Sequence, residues 1–199
     1  MRQLYHFWLS PFSRKVRLVL AEKKLEFELK AEPVWERRDA FLSLNPAGEV
    51  PVLEEEDGTV LCDSTVICEY LDGLNDPPVL IPRDPAGRVK TLHLAALADG
   101  LMDVTVGLYL EKLRHPQDLI MDFVTAQEET IARCLAFYEQ NTARLETLSI
   151  ASIAAGAAVG YLNFRLGDLN PAGKYPQMQA WFNEFSLRPS MKESMPVSN

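Results

Sequence analysis

Pro77-Pro78, preceded by Asp76 and followed by Pro82 and Pro85, cuts this chain in two. Proline lacks an amide hydrogen, its ring clashes with a preceding helical turn, and it drives the residue before it into extended backbone. No helix and no central strand runs through such a stretch. The sequence therefore predicts two separately patterned parts, residues 1–76 and 86–199, joined by a linker over 77–85. Strand and helix signals alternate in the first part, and helical periodicity fills the second. There is no internal repeat and no low-complexity tract.

In the first part, Gln3 to Phe7 is apolar enough for a short buried strand. Ser10-Pro11 then opens a helix, with serine as cap and proline in the first turn. Phe12, Val16, Val19 and Leu20 fall on one face of it, and Lys23 and Lys24 suit its C-terminus. Phe27 and Leu29 alternate with Glu26 and Glu28 as in a second strand, and 35–44 reads as a short, irregular helix. Pro51 to Leu53 and Thr59 to Leu61 flank Asp57-Gly58, a hairpin signal. Ser64 is predicted to cap a further helix with Ile67, Tyr70, Leu71 and Leu74 inward. The order is β-α-β-α-β-β-α. The first two strands flank a helix and should be parallel; the last two should form an antiparallel hairpin.

The second part predicts a long helix over about 86–113 and another over about 117–145, with Ile131, Leu135 and Tyr138 inward. Ser149 caps an apolar helix, and Met178, Trp181, Phe182 and Phe185 mark one more, which together read as a bundle. The stretch Ile150 to Phe164 is shorter than the ~20 residues a bilayer needs. Its Gly156 and Gly160 read as close packing inside a soluble core.

Charge and cysteine content exclude several classes of function. The formal net charge of the 199 residues is -8 and the pI is near 5.0. That balance argues against binding nucleic acid or anionic lipid. Cys62, Cys68 and Cys134 form neither a disulfide framework nor zinc-finger spacing, so no metal is expected. Free thiols and an N-terminus without a signal peptide point to the cytoplasm.

The element order is that of a thioredoxin-like domain, and short segments resemble a known family. Trp8-Leu9-Ser10-Pro11-Phe12-Ser13-Arg14-Lys15-Val16-Arg17 resembles the first turn of glutathione S-transferases, in particular bacterial-type, serine-dependent members. Asn45-Pro46-Ala47-Gly48-Glu49-Val50-Pro51-Val52-Leu53 resembles their middle segment, and Asp63-Ser64 before Glu69-Tyr70-Leu71 a third. The resemblance implies an α/β N-terminal thioredoxin-like domain plus an all-α C-terminal bundle. It also implies a homodimeric, detoxifying transferase that uses glutathione as co-substrate and takes a small hydrophobic electrophile. Its implied glutathione-binding residues are Ser10, Phe12, Glu49, Val50, Pro51, Asp63 and Ser64.

The chemistry behind these residues is simple. Ser10 stands where thioredoxin-like proteins carry a reactive cysteine, and neither end of Ser10-Pro11-Phe12-Ser13 has a thiol, so disulfide exchange by the chain itself is excluded there. A hydroxyl and a helix N-terminus both favour a bound thiolate over the thiol. A thiol of pKa ~8.5 is ~3% ionised at pH 7, and a fall of roughly two units makes it mostly thiolate. The gain in nucleophile is at most ~30-fold, reduced by the lower intrinsic reactivity of a weaker base. Ser10 is then an activator rather than a nucleophile; a plain helix cap is its other reading, and Ser13 the alternative donor.

The resemblance implies a cis bond before Pro51, which leaves the Val50 backbone for a peptide-like ligand. Asp63 suits the γ-glutamyl ammonium and Ser64, as cap, its carboxylate. Arg37, Arg38 and Arg14 are candidates for the glycyl carboxylate, whereas Glu49 stands where some members have a base. The electrophile should lie between Trp8, Phe12 and the first long helix, with Met102, Val106 and Tyr109 as a wall. Ser149-Ile150-Ala151-Ser152 departs from the family's Ser/Thr-x-x-Asp box, with an expected loss of order 1 kcal/mol. The rival function is a non-catalytic, glutathione-binding or regulatory interaction protein on the same fold.

Overall fold

The computed structural model describes residues 1–74, 77–169 and 173–196. Asp76, at the predicted seam, lies outside the described residues. The first part is a mixed sheet built from β1 (Gln3–His6), β2 (Glu28–Ala31), β3 (Val52–Glu54) and β4 (Val60–Cys62) in the order β2-β1-β3-β4. β1 and β2 are parallel with Leu4 opposite Leu29; β3 is antiparallel to both β1 and β4. Three helices complete it: α1 (Pro11–Glu22), α2 (Asp39–Leu44), preceded by a 3-10 turn at Val34–Glu36, and α3 (Ser64–Gly73). Leu4 and Leu53 of the sheet, Val16, Val19 and Leu20 of α1 and Ile67 and Leu71 of α3 are all wholly buried in one core.

Phe27 was expected in the second strand but precedes it. α1 ends on Lys24 in left-handed backbone (φ 53), with Leu25 N–H bonded to Leu20 C=O at 2.9 Å. That closure delays pairing until Glu28 N–H reaches Arg2 C=O at 2.9 Å.

The second part contains α4 (Pro85–Arg114), α5 (Met121–Glu139), α6 (Ile150–Arg165), α7 (Pro176–Phe185) and α8 (Pro189–Glu193). Asp84 caps α4 by accepting from Gly87 N–H at 2.7 Å. α5 is shorter than predicted at both ends. Pro116 sits second in a turn closed by Asp118 N–H to His115 C=O at 3.0 Å, which uses up the residues before Met121. At the far end Asn141 Nδ2 donates to Phe137 C=O at 2.8 Å, and the chain continues as a 3-10 turn at Thr142–Leu145.

α6 is the buried axis of the bundle, packed against α4, α1 and α7. A Cβ at Gly156 would lie 2.6 Å from the Phe185 ring, and one at Gly160 2.7 Å from Arg14, so both glycines allow close approach. The head of α6 carries a capping box all the same. Ser149 N–H donates to Ser152 Oγ at 2.9 Å and Ser152 N–H to Ser149 Oγ at 3.3 Å, so serine completes the capping box without a carboxylate. α4 is the one described helix long and apolar enough to cross a membrane; here Leu94, Ala98, Leu101, Met102 and Leu108 are buried in the core.

The two parts are clamped together along α1. Glu22 accepts from Arg188 at 2.8 and 2.7 Å, which holds its carboxyl below the usual range. Arg14, buried, donates to Ser194 Oγ at 3.2 Å and Met191 C=O at 3.0 Å.

Candidate functional site

Two cavities flank the start of α1. The smaller, about 290 Å³, is polar. Its walls are Phe12 of α1, the loop residues Asn45, Ala47, Glu49, Val50 and Pro51, the segment Cys62–Thr65, and Asp99 and Asp103 of α4. Asn45 shapes the loop: its Nδ2 donates to Glu49 C=O at 2.8 Å and its Oδ1 accepts from Ala47 N–H at 3.1 Å. The Val50-Pro51 bond is cis, as the resemblance implied; Pro77-Pro78 is cis as well.

Residue 64 does not cap α3. Asp63 does, with Oδ1 accepting from Thr65 N–H at 2.7 Å and Val66 N–H at 3.2 Å. Both residue types are good caps, and β4 ends at Cys62, which puts residue 63 at the boundary. Ser64 is instead the first helical residue, buried on the cavity wall. It offers the free N–H of a helix start rather than a capping hydroxyl.

Sequence reasoning missed Lys15, Thr65, Asp99 and Asp103. Buried Lys15 Nζ lies 2.6 Å from Asp99 Oδ1, and Thr65 Oγ1 donates to Asp99 Oδ2 at 3.2 Å. Burial first, then the charges of Asp99 and Glu49, raise the Asp103 carboxyl above its ordinary value. Asp99 and Asp103 stand at i and i+4 and are the two charged residues between Leu94 and Leu110 of α4; like charges so spaced repel each other, and that spacing was the available signal.

Ser10 is the N-cap of α1, its Oγ accepting from Ser13 N–H at 3.2 Å. It is half-buried and forms part of neither wall. Ser13 is wholly buried, so its hydroxyl does not open on either cavity. Among the arginines, Arg14 is committed to the C-terminal segment and burial lowers its pKa to about 10. Arg38 pairs with Glu32. Only Arg37 lies against the loop, with Nη1 at 3.5 Å from Ala47 C=O, and none of the three lines the polar cavity.

The larger cavity, about 860 Å³, is aromatic. It is bounded by His6 to Leu9, by Ala31 to Pro33 and Trp35, and by Phe164 and Arg165 at the end of α6. Trp8 lines it; its Nε1 donates to Met195 C=O at 3.2 Å and the Arg17 guanidinium stacks on it at 4.1 Å. The rest of the predicted wall moves. Met102 is wholly buried in the core, because α4 turns that face into the bundle. Val106 is half-buried and lines neither cavity, and Tyr109 stands behind Arg165, accepting from its Nη1 at 3.0 Å. Phe12 faces the polar cavity only. Among the described residues no group of three His, Cys, Asp or Glu side chains is placed to hold a metal ion.

A mixed sheet with a cis proline beside a polar cleft, and a helical bundle docked on its first helix, define a thioredoxin-like fold carrying a second, helical part. Residues 4–79 match the glutathione S-transferase N-terminal domain, and the chain belongs to the glutathione S-transferase family. The GST-like protein YibF of Escherichia coli K12 is 37% identical over 162 residues, 79% of this chain and 80% of the relative. FtsZ-localized protein A of Caulobacter vibrioides is 30% identical over 205 residues, 96% of this chain and 89% of the relative. A glutathione transferase family member from Pseudomonas fluorescens Pf-5, solved with bound glutathione, is 38% identical with a TM-score of 0.94, covering 100% of both chains.

Proposed function

We propose that this chain binds glutathione in the polar cavity and conjugates its sulfur to an electrophile seated in the aromatic cavity. The observation that carries this reading is the position of Ser10. Residues 6–9 line the aromatic cavity, Phe12 lines the polar one, and Ser10 caps α1 between them. Its oxygen accepts from Ser13 N–H, so its own proton is left to donate to a sulfur. The relative solved with glutathione supports the first half of the proposal.

In the polar cavity the helix start at Ser64 and Thr65 suits the γ-glutamyl carboxylate, and the carboxylates of Asp63, Asp99 and Asp103 suit its ammonium. The cis-Pro51 wall presents Val50 backbone to the cysteinyl unit. The thiol proton leaves to solvent, and the thiolate stays paired with the Ser10 hydroxyl and the α1 N-terminus. The sulfur then forms a bond to the electrophilic carbon. In a substitution the leaving group departs with its bonding pair; in an addition the neighbouring carbon takes a proton from water. Rate comes from holding sulfur as thiolate and from proximity. The protein would act as a cytoplasmic homodimer, as the family resemblance and the free thiols suggest.

Calorimetry with glutathione, followed by turnover with small aromatic halides and unsaturated carbonyls, tests the proposal. Micromolar to millimolar binding with turnover is the expected result; no binding refutes it. A second reading, a glutathione-binding interaction protein, is favoured by the relative named FtsZ-localized protein A. Binding without turnover across the panel selects it.

A further inference from the structure

The aromatic cavity holds a cation without a counter-ion. The arginines at 2, 38, 83, 88, 133 and 188 each pair with a carboxylate. Arg165 has no carboxylate within 4.0 Å among the described residues. Its guanidinium lies over the rings of Tyr109 at 4.2 Å and Phe164 at 4.6 Å, so its plane is fixed. Nη1 is taken by Tyr109, whereas Nε is buried with no acceptor.

The other ionisable groups on the wall leave that charge uncancelled. Glu32 is wholly buried and neutralised by Arg38. His6 is kept neutral by burial and by the charge of Arg17. The remaining wall is mainly apolar. Phe7 and Trp35 meet edge to face at 5.2 Å, and Trp35 is 64% exposed at the rim. An aromatic slot with one fixed, unpaired guanidinium suits a planar molecule that carries an anion.

We propose that the aromatic cavity selects planar electrophiles bearing a carboxylate, with Arg165 as the counter-ion and specificity-determining residue. This rests on the reading of that cavity as the electrophile's seat. Arg165 also ends α6, where a basic side chain favours the helix dipole, and a purely structural role there would show no ligand preference.

The test compares S-(4-carboxybenzyl)glutathione with S-benzylglutathione by calorimetry on wild type and Arg165→Gln. The acid should bind about tenfold tighter to wild type, as a charge-assisted hydrogen bond predicts, and Arg165→Gln should erase the difference while leaving S-benzylglutathione within about threefold. A parallel arm titrates 2-naphthoate and 2-naphthamide without glutathione, read by the fluorescence of Trp8 and Trp35. Preference for the acid in this arm alone, lost in Arg165→Gln, upholds Arg165 and refutes the glutathione reading. Equal affinities, a preference that survives Arg165→Gln, or no binding in either arm overturns the proposal. Should Arg165→Gln fail to fold, a crystal of wild type with S-(4-carboxybenzyl)glutathione decides: the carboxylate lies within hydrogen-bond distance of Arg165, or the proposal falls.

Discussion

Ser10 Oγ accepts the Ser13 amide at 3.2 Å, so the hydroxyl caps α1 with its oxygen and keeps a proton that it can donate. The two roles separate by substitution. Ser10→Ala removes both, and should cost about 1 kcal/mol of stability and roughly tenfold or more in kcat/KM. Ser10→Asp keeps a capping oxygen and restores the melting temperature, yet its charge beside the sulfur disfavours thiolate, so activity stays low. Thermal melting with turnover on the same preparations checks this. Activity that follows stability across both variants would reduce Ser10 to a cap.

Lys15 and Asp99 are the charge pair that joins α1 to α4 beneath the polar cavity. Lys15 is buried and Asp99 is about one-fifth exposed, with Asp103 one turn away. Lys15→Met leaves Asp99 without its cation. Breaking a fully buried pair costs roughly 3–5 kcal/mol, and the partial exposure of Asp99 brings the expected loss to about 2–3 kcal/mol. Lys15→Met with Asp99→Asn should recover much of it. Urea denaturation of the two variants gives both values.

What was legible in the sequence was local. Ser10-Pro11 announced α1 because cap and first-turn proline are neighbours, and Asp57-Gly58 announced the β3–β4 hairpin for the same reason. The polar cavity was half legible: Val50, Pro51, Asp63 and Ser64 lie in short motifs, but Asp99 and Asp103 reach it only because α4 packs across α1, where Lys15 pairs with Asp99. Serine and aspartate compete equally for the cap of α3, and only the end of β4 decides for Asp63. The aromatic wall was least legible. Trp35 and Arg165 line one cavity from 130 positions apart, and α4 is apolar on more than one face, so periodicity alone did not show that Met102 turns inward.

Gly156 and Gly160 differ in what a methyl group would strike. At Gly156 the obstacle is the Phe185 ring, 2.6 Å from the added carbon and stacked on Trp181 at 5.0 Å. At Gly160 it is the tip of the Arg14 side chain at 2.7 Å, which has rotatable bonds with which to give way. Gly156→Ala should therefore cost about 1–3 kcal/mol, and Gly160→Ala less. Melting temperatures in one buffer settle the order; equal losses would mean that Arg14 is held as firmly as Phe185.

His6 makes stability depend on pH. Burial, and then the charge of Arg17, lower its pKa from 6.5 to about 4, and its Nδ1 is buried without a partner among the described residues. Between those values the unfolded chain binds a proton that the folded one refuses, so stability rises with pH across that window and is lost as pH falls through it. The steepest slope is ~1.4 kcal/mol per pH unit. Glu22, held below its ordinary value, loses its contribution only at lower pH, and Asp103, raised by burial, works weakly in the opposite sense. Subtracting Arg188→Ala or Asp103→Asn backgrounds is unnecessary if His6→Gln is compared directly with wild type. Its melting temperature should fall less between pH 6.5 and 4.5 than that of the parent. Parallel curves over that range would mean that His6 takes up its proton without unfolding the strand it ends.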